Sequence, residues 1–175
     1  SYISVLPYNE LGAAAAAYNA DEKELCRLDE IYSAAKAPFE IRSGSEKVTR
    51  RFFKICNNGR ESFTWLYKSL TEQGKCKGHQ CIAYGLYMRD NGIELSEGLA
   101  VYGYSICSAI VTNCVKLVPL SQLAGQKILG ESFELISSAS EKALFTDIND
   151  IGISGAGFDL RAMQHERLYS RQYMS

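Results

Sequence analysis

The sequence has few of the features from which β-structure is built. No sustained alternation of apolar and polar residues runs along it, and no Asn-Gly turn joins two β-branched runs. Proline, with three residues in 175, seldom interrupts the helical spacing of apolar residues that recurs throughout. The sequence therefore predicts an all-α fold, a single compact bundle of about seven or eight helices in which residues 1–175 form one domain.

An excess of one charge is also missing. Nineteen Lys and Arg stand against twenty Asp and Glu, which gives a net charge of −1. This balance offers no bulk electrostatic basis for binding nucleic acid or an anionic membrane. The first twenty residues have no basic segment and no signal-peptide cleavage pattern, so we expect a cytoplasmic protein. They also lack a starting Met and read like the middle of a helix, and we expect that an N-terminal part is missing.

Charged residues are absent from residues 98–115, a stretch close to the roughly 18–20 residues of a membrane span. Tyr102, Thr112 and Asn113 lie within it and are costly or unnecessary in lipid. We therefore expect no membrane span. The stretch fits a long helix that begins after Ser96 and is buried nearly all round, in a bundle or a dimer interface.

Other helix boundaries are marked by turn and capping residues. Pro38 suits the first turn of one helix, and Pro119 the start of another that continues through Phe133 and Ile136. Residues 147–157 have the composition of a loop, after which Asp159 is expected to begin the last helix.

Six cysteines lie mostly within helical apolar patterns, and we expect buried thiols rather than disulfides. Cys76, His79 and Cys81 have side chains suited to zinc or nickel. A closed structural zinc site needs about four ligands, however, and no second cluster lies nearby. We predict no metal site here and keep as an alternative a metal carrier or metal-dependent protein that uses these three residues.

Known catalytic patterns are missing. The only two histidines, His79 and His165, have neither a glycine-rich elbow nor an evident orienting partner. The patterns GxxxxGK(S/T) and GxGxxG are absent, and GISGAG at residues 152–157 follows no strand. The sequence thus lacks the motifs expected of a hydrolase, a kinase or a dehydrogenase. The residues predict a helical protein that binds other proteins, without enzymatic activity and without a cofactor.

Two long ungapped motifs resemble those of a known family. NCVKLVPLSQLAGQKIL, at residues 113–129, is similar to the block N-x-V-K-x-V-P-L-x-Q-x-x-G-Q of the urease accessory protein UreF family. HERLYSRQYMS, at residues 165–175, is similar to the ending H-E-x-x-Y-S-R of that family. FEIRSGSEKVTRRFFKI and AYGLYMRDNGIEL also resemble family segments, so that the likeness covers essentially the whole chain in order.

Three departures from the family pattern stand beside this likeness. The usual opening segment of the type P-x-G-x-F/Y-x-H-S-x-G-L-E is absent. His79-Gln80-Cys81 occurs where many members have His-His-Pro, which weakens any metal role at that place. Gln172 occupies a position where Leu is more common.

The resemblance implies an all-helical, usually dimeric protein with no reaction of its own. Members join the UreD scaffold (also called UreH) and the GTPase UreG in an assembly that delivers nickel to apo-urease. They are thought to bring UreG into the complex and to couple its GTP state to metal delivery. A helical homodimer with a purely structural role is the remaining alternative.

The partner-binding residues that we predict fall into two groups. The first is Lys116, Gln122 and Gln126, from the first motif. Lys116 lies near the end of an apolar helix, where its stem can rest on apolar neighbours while its ammonium reaches solvent. It could simply cap that helix, whereas the family resemblance places it at the partner surface.

The second group belongs to the C-terminal tail: His165, Glu166, Tyr169, Ser170, Arg171 and Tyr173. Tyrosine and arginine are over-represented among binding hot spots, which suits a segment that docks on a partner. Arg171 matches the arginine of the family's Y-S-R, and its guanidinium can bind a carboxylate through two hydrogen bonds. The alternative is that the tail packs back on its own bundle.

Overall fold

The computed structural model of the chain describes residues 2–56 and 59–169. Over these residues it contains α-helices, two 3₁₀ helices and no β-strand, which confirms the all-α prediction. The α-helices are α1 (Glu10–Asn19), α2 (Glu22–Ala35), α3 (Phe39–Ile55), α4 (Phe63–Glu72), α5 (Gln80–Asp90), α6 (Leu95–Leu117), α7 (Gln122–Glu131), α8 (Phe133–Ala143) and α9 (Ala156–His165). The 3₁₀ helices are Tyr2–Tyr8 and Ile148–Asp150.

The segment after Pro119 forms two helices where the sequence predicts one. The hydroxyl of Ser121 accepts a hydrogen bond from the N–H of Ala124, so α7 begins beyond the proline. A turn at Ser132 then separates α7 from α8, which begins at Phe133. The prediction that Pro119 begins the helix is therefore wrong, because the serine cap, rather than the proline, sets its start.

Two further boundaries differ from those predicted. The Glu94 carboxylate accepts the N–H of Glu97 at 3.0 Å, so α6 starts before Ser96. Ser96 lies inside the helix and donates its own hydroxyl to Glu94. The last helix begins at Ala156, which leaves Asp159 in its first turn. Both predictions were wrong because a carboxylate near a helix start can lie at the cap or within the first turn.

At the centre of the core, α1 and α5 pack backbone against backbone. A Cβ added at Gly85 would lie only 2.2 Å from the carbonyl oxygen of Ala14. The run of alanines in α1 is almost completely buried and presents little side-chain bulk. Because both helices are narrow at this contact, the larger apolar residues of the neighbouring helices can close around them as one buried cluster.

A buried carboxylate ties the loop between α4 and α5 to α2. Asp29, which is 2% exposed, accepts hydrogen bonds from the Tyr67 hydroxyl at 2.5 Å and from the N–H of Lys77 and Gly78 at 2.7 and 3.0 Å. The Tyr67 oxygen accepts in turn from the N–H of His79 at 2.8 Å. Burial and the Asp29 charge raise the pKa of Tyr67 well above its usual value. This part of the loop is therefore held by the core.

Only one side of α6 is buried. Leu99, Tyr102 and Cys107 face the core, whereas Val101 and Tyr104 are 60% and 40% exposed. Within its most apolar stretch 28% of the residues are buried, so the single chain does not provide the burial nearly all round that the sequence predicts. Among the described residues, α6 is the one helix long and apolar enough to cross a membrane by length and composition alone.

The contact between α1 and α5 is testable by adding one methyl group. We expect Gly85→Ala to lower the free energy of unfolding by at least about 3 kcal/mol, because the methyl would overlap a backbone carbonyl. Urea denaturation followed by circular dichroism measures the change. Gly44→Ala in α3 is the control: a Cβ there meets nothing within 4 Å, and alanine favours the helix by up to about 1 kcal/mol. Equal stability of the two variants would contradict the close packing.

Candidate partner-binding surface

The first group of predicted residues lies at the end of α6 and on α7. Lys116 is in the last turn of α6, Gln122 is the first residue of α7, and both are exposed, as is Gln126. On the inner face of α7, a Cβ added at Gly125 would lie 2.7 Å from Val115 of α6. This close approach packs α7 against α6, and both glutamines remain exposed.

Large apolar side chains accompany these polar residues. Those at least about a third exposed on the end of α6, on α7 and on the connection are Leu117, Val118, Leu120, Leu123 and Ile128. We call them, together with Lys116, Gln122 and Gln126, the α6–α7 surface. Lys116 lies at the negative end of α6 and is exposed, so that capping and partner binding both stay predictions for it. An apolar surface with a few polar groups is typical of a protein-binding site.

The second group begins with two residues that hold α9 against α3. His165 Nδ1 lies 2.7 Å from Glu40 Oε2, and Glu166 Oε1 accepts the N–H of Phe39 at 2.8 Å. Because Phe39 is the first residue of α3, the Glu166 carboxylate lies at the positive end of that helix. Both side chains are thus engaged within the chain, and their binding of a partner stays a prediction.

Glu40 is the residue of this contact that the sequence does not reveal. It is an ordinary acidic residue in the first turn of a helix, and its partner His165 is 125 positions away. The adjacent residues His165 and Glu166 bind different groups, as their different directions on a helix require. Only the packing of α9 beside α3 brings the three side chains together.

The remaining residues of the second group follow α9. The Tyr169 side chain is fully exposed, whereas His165 and Glu166 before it contact α3. Ser170, Arg171 and Tyr173 lie outside the described residues. Their role therefore stays a prediction.

The two groups are on different elements. A cavity of about 540 Å³ is lined by Ile110 of α6 and Phe158 of α9, among others, and by none of the predicted partner-binding residues that the structure describes. The Phe158 ring also lies 5.4 Å from the ring of Tyr2 in the N-terminal 3₁₀ helix. The start of α9 thus rests on the N-terminal segment, and its end rests on α3.

The side chains of the alternative metal site are engaged separately. His79 Nε2 lies 2.7 Å from Ser33 Oγ, and burial lowers the pKa of His79. Cys76 Sγ lies 3.7 Å from Cys26 Sγ, and burial raises the pKa of Cys81 to about 12, which keeps that thiol protonated. All six cysteines are free. Within the described part of the chain, no three His, Cys, Asp or Glu side chains are grouped so that they could hold a metal.

The sequence is similar to those of known proteins over most of its length. A family model described as UreF matches residues 4–132, more than half of the chain. The urease accessory protein UreF of Actinobacillus pleuropneumoniae serotype 5b is 34% identical over 158 residues, which cover 90% of this chain and 70% of that protein. For the UreF of Haemophilus influenzae the identity is 36% over 153 residues, with 86% and 65% covered. The UreF of Arthrobacter sp. is 31% identical over 152 residues, with 85% and 66% covered.

The contact between α9 and α3 predicts a local effect of mutation. We expect Glu40→Ala and His165→Ala to speed hydrogen exchange in residues 156–165, because each removes one end of the contact that holds α9. Global stability should change by less than about 1 kcal/mol, since the pair is exposed. Hydrogen exchange followed by mass spectrometry gives both readouts.

Arg161→Ala is the control on the same helix, where the guanidinium lies 3.4 Å from Gln164 of α9 itself. It should leave exchange near wild type. Unchanged exchange in both Glu40→Ala and His165→Ala would show that this contact does not hold α9.

Proposed function

Because this chain belongs to the UreF family of urease accessory proteins, we propose that it is an adaptor in urease maturation. It joins the UreD/UreH scaffold and the GTPase UreG to apo-urease, and so acts as a chaperone of nickel insertion. It couples the GTP state of UreG to metal delivery and performs no reaction of its own. It works in the cytoplasm, where free thiols such as its six cysteines persist.

The α6–α7 surface is the observation that best supports this proposal. Leu123 is 80% exposed and Leu117 is 53% exposed, beside the cation of Lys116. Burying such side chains against another protein removes apolar area from water at about 25 cal/mol for each Å². In an adaptor protein such side chains can stay exposed in the single chain and become buried against a partner when the complex forms.

A second apolar area supports self-association as part of the same function. Val101 and Tyr104 of α6 and Phe133 of α8 are between 40% and 60% exposed and line one shallow surface depression, and the rings of Tyr104 and Phe133 lie 5.8 Å apart. We call these three residues the α6–α8 face. A two-fold dimer needs one self-complementary patch, and an apolar face without charged residues at its centre meets that need.

The role of the tail is tested by assembly with the partners. We expect wild type to enter a joint complex with UreD/UreH and UreG, measured by size-exclusion chromatography with light scattering. Arg171→Ala, or removal of the residues after Leu168, should release UreG and keep UreD/UreH, because a hot-spot arginine carries a large share of binding energy. Arg161→Ala in α9 is the matched control and should assemble normally.

Other outcomes of this experiment would contradict the tail prediction or the adaptor function. If the tail variants assemble like wild type, the tail prediction is wrong, and Lys116→Ala, Gln122→Ala and Gln126→Ala test the α6–α7 surface instead. If wild type binds neither UreD/UreH nor UreG, the adaptor function is wrong. A stable homodimer that binds no partner would favour the purely structural alternative.

The proposed dimer interface predicts a change of mass. We expect Tyr104→Asp combined with Phe133→Asp to convert a dimer to a monomer in light scattering, because two buried charges would face each other across the two-fold axis. Both positions are exposed in the single chain, so circular dichroism should be unchanged. Leu123→Asp, on the α6–α7 surface, is the control and should leave the dimer intact. A dimer that survives both substitutions would assign the interface to another surface.

A further inference from the structure

Positive charge is concentrated in one part of a chain that is nearly neutral. Residues 46–77 contain eight Lys and Arg and three Asp and Glu, whereas the rest of the chain contains eleven and seventeen. The basic part covers the second half of α3, all of α4 and the turns that follow each helix. Such segregation gives a local positive potential even though the total charge is close to zero.

A cavity of about 500 Å³ lies in this basic part, between the end of α3 and the side of α4. Three cationic residues line it: Lys54, Arg60 and Lys68. Over the described residues, the one ion pair among them is between Lys68 and Glu72, at 3.9 Å and with side chains 40% and 68% exposed. A pair this exposed contributes little, so the three charges are available to an incoming group.

An unsatisfied hydroxyl lies in the wall of the same cavity. Thr64 lines it and is 3% exposed, and its Oγ1 is buried with no hydrogen-bond partner among the described residues. The N–H groups of Phe63 and Thr64, at the start of α4, are already bonded to the Asp90 carboxylate at 2.9 and 2.8 Å. The helix terminus is thus occupied, and the unused polar groups are the Thr64 hydroxyl and the three cations.

The cavity also offers apolar contact. Trp65 lines it and is 41% exposed, and Phe53 forms part of its wall. At the end of α3, Ile55 is 79% exposed. A lone phosphate would make no use of an indole and an isoleucine, whereas tryptophan and arginine together are typical of the hot spots of protein interfaces.

We propose that this cavity, which we call the basic cavity, is a docking site for an acidic segment of a protein partner. Carboxylates of the segment pair with Lys54, Arg60 and Lys68, and an apolar side chain beside them packs on Trp65. The basic cavity shares no residue with the α6–α7 surface, the α6–α8 face or the end of α9. It therefore adds a site to the proposed adaptor and does not depend on the identity of the partners named for it.

The chain provides its own probe for this site. Trp65 is the only tryptophan in the sequence, so its emission, excited at a wavelength where the eleven tyrosines absorb little, reports on the cavity. We expect a Glu-rich peptide with a central Phe to change that fluorescence saturably at low ionic strength, and more weakly at physiological salt because charge pairing is screened. Combined Lys54→Glu and Lys68→Glu should weaken binding at least about tenfold, since like charges would then oppose each other.

Lys127→Glu in α7 is the matched control. Lys127 lies 3.9 Å from Glu131 one turn later, as Lys68 does from Glu72, but it is remote from the cavity in the chain. This variant has the same type of charge reversal and should bind the peptide like wild type. If the double reversal fails to fold by circular dichroism, Arg60→Gln replaces it and should weaken binding several-fold.

Three results would overturn the proposal. The first is the absence of a saturable signal with the peptide, or a loss of binding in Lys127→Glu as large as that in the combined Lys54→Glu and Lys68→Glu variant. The second is displacement of the peptide by tripolyphosphate or a single-stranded oligonucleotide at equal or lower concentration, which would make the cavity a phosphate site. The third is a fluorescence change that follows protein concentration without peptide and coincides with dimer formation in light scattering, which would make a second copy the occupant.

Discussion

The contact between α1 and α5 leaves no room for a side chain at Gly85, and the positions of the other helices depend on it. These two helices are separated by little more than their backbones, and larger apolar side chains of the neighbouring helices complete the core. The ten residues of α1 span about 15 Å and the 23 residues of α6 about 35 Å. α6, which contacts α1, α7 and α8, is therefore more than twice as long as α1. Its last turns pack against α7 and carry the α6–α7 surface.

α9 is held by a few contacts and not by full burial. Over its described residues α9 has no fully buried side chain, and its contacts include the Phe158 ring at one end and His165 with Glu166 near the other. Segments with few buried apolar contacts open at low free-energy cost. We therefore expect α9 to open at a lower free-energy cost than the helices of the core.

Much of the fold could be predicted because its signals are local. Asp21 and Ser62 cap the starts of α2 and α4, and aspartate and serine are residue types that favour this position. The helix starts predicted at Ser96 and Pro119 were wrong because a nearby residue caps the helix instead. That residue is Glu94 for α6 and Ser121 for α7. In each case two neighbouring residues could cap the helix, and propensity alone does not choose between them.

The candidate site was predictable in part, for the same reason. The exposure of Lys116 could be inferred from its place at a helix end, whereas the contact between His165 and Glu40 joins residues 125 positions apart. The charge segregation of residues 46–77 can be counted in the sequence. The basic cavity cannot be predicted from the sequence, because the packing of α3 beside α4 decides whether Lys54 and Lys68 line the same cavity.

The contact between Ala14 and Gly85 also has a consequence for the protein as it is synthesised. The two residues are about seventy positions apart, and a ribosome adds roughly 5–20 residues each second. The alanine face of α1 therefore leaves the ribosome several seconds before the helix that covers it. During that interval α1 depends on the high helix propensity of alanine, because the surface that will bury it has not yet been made.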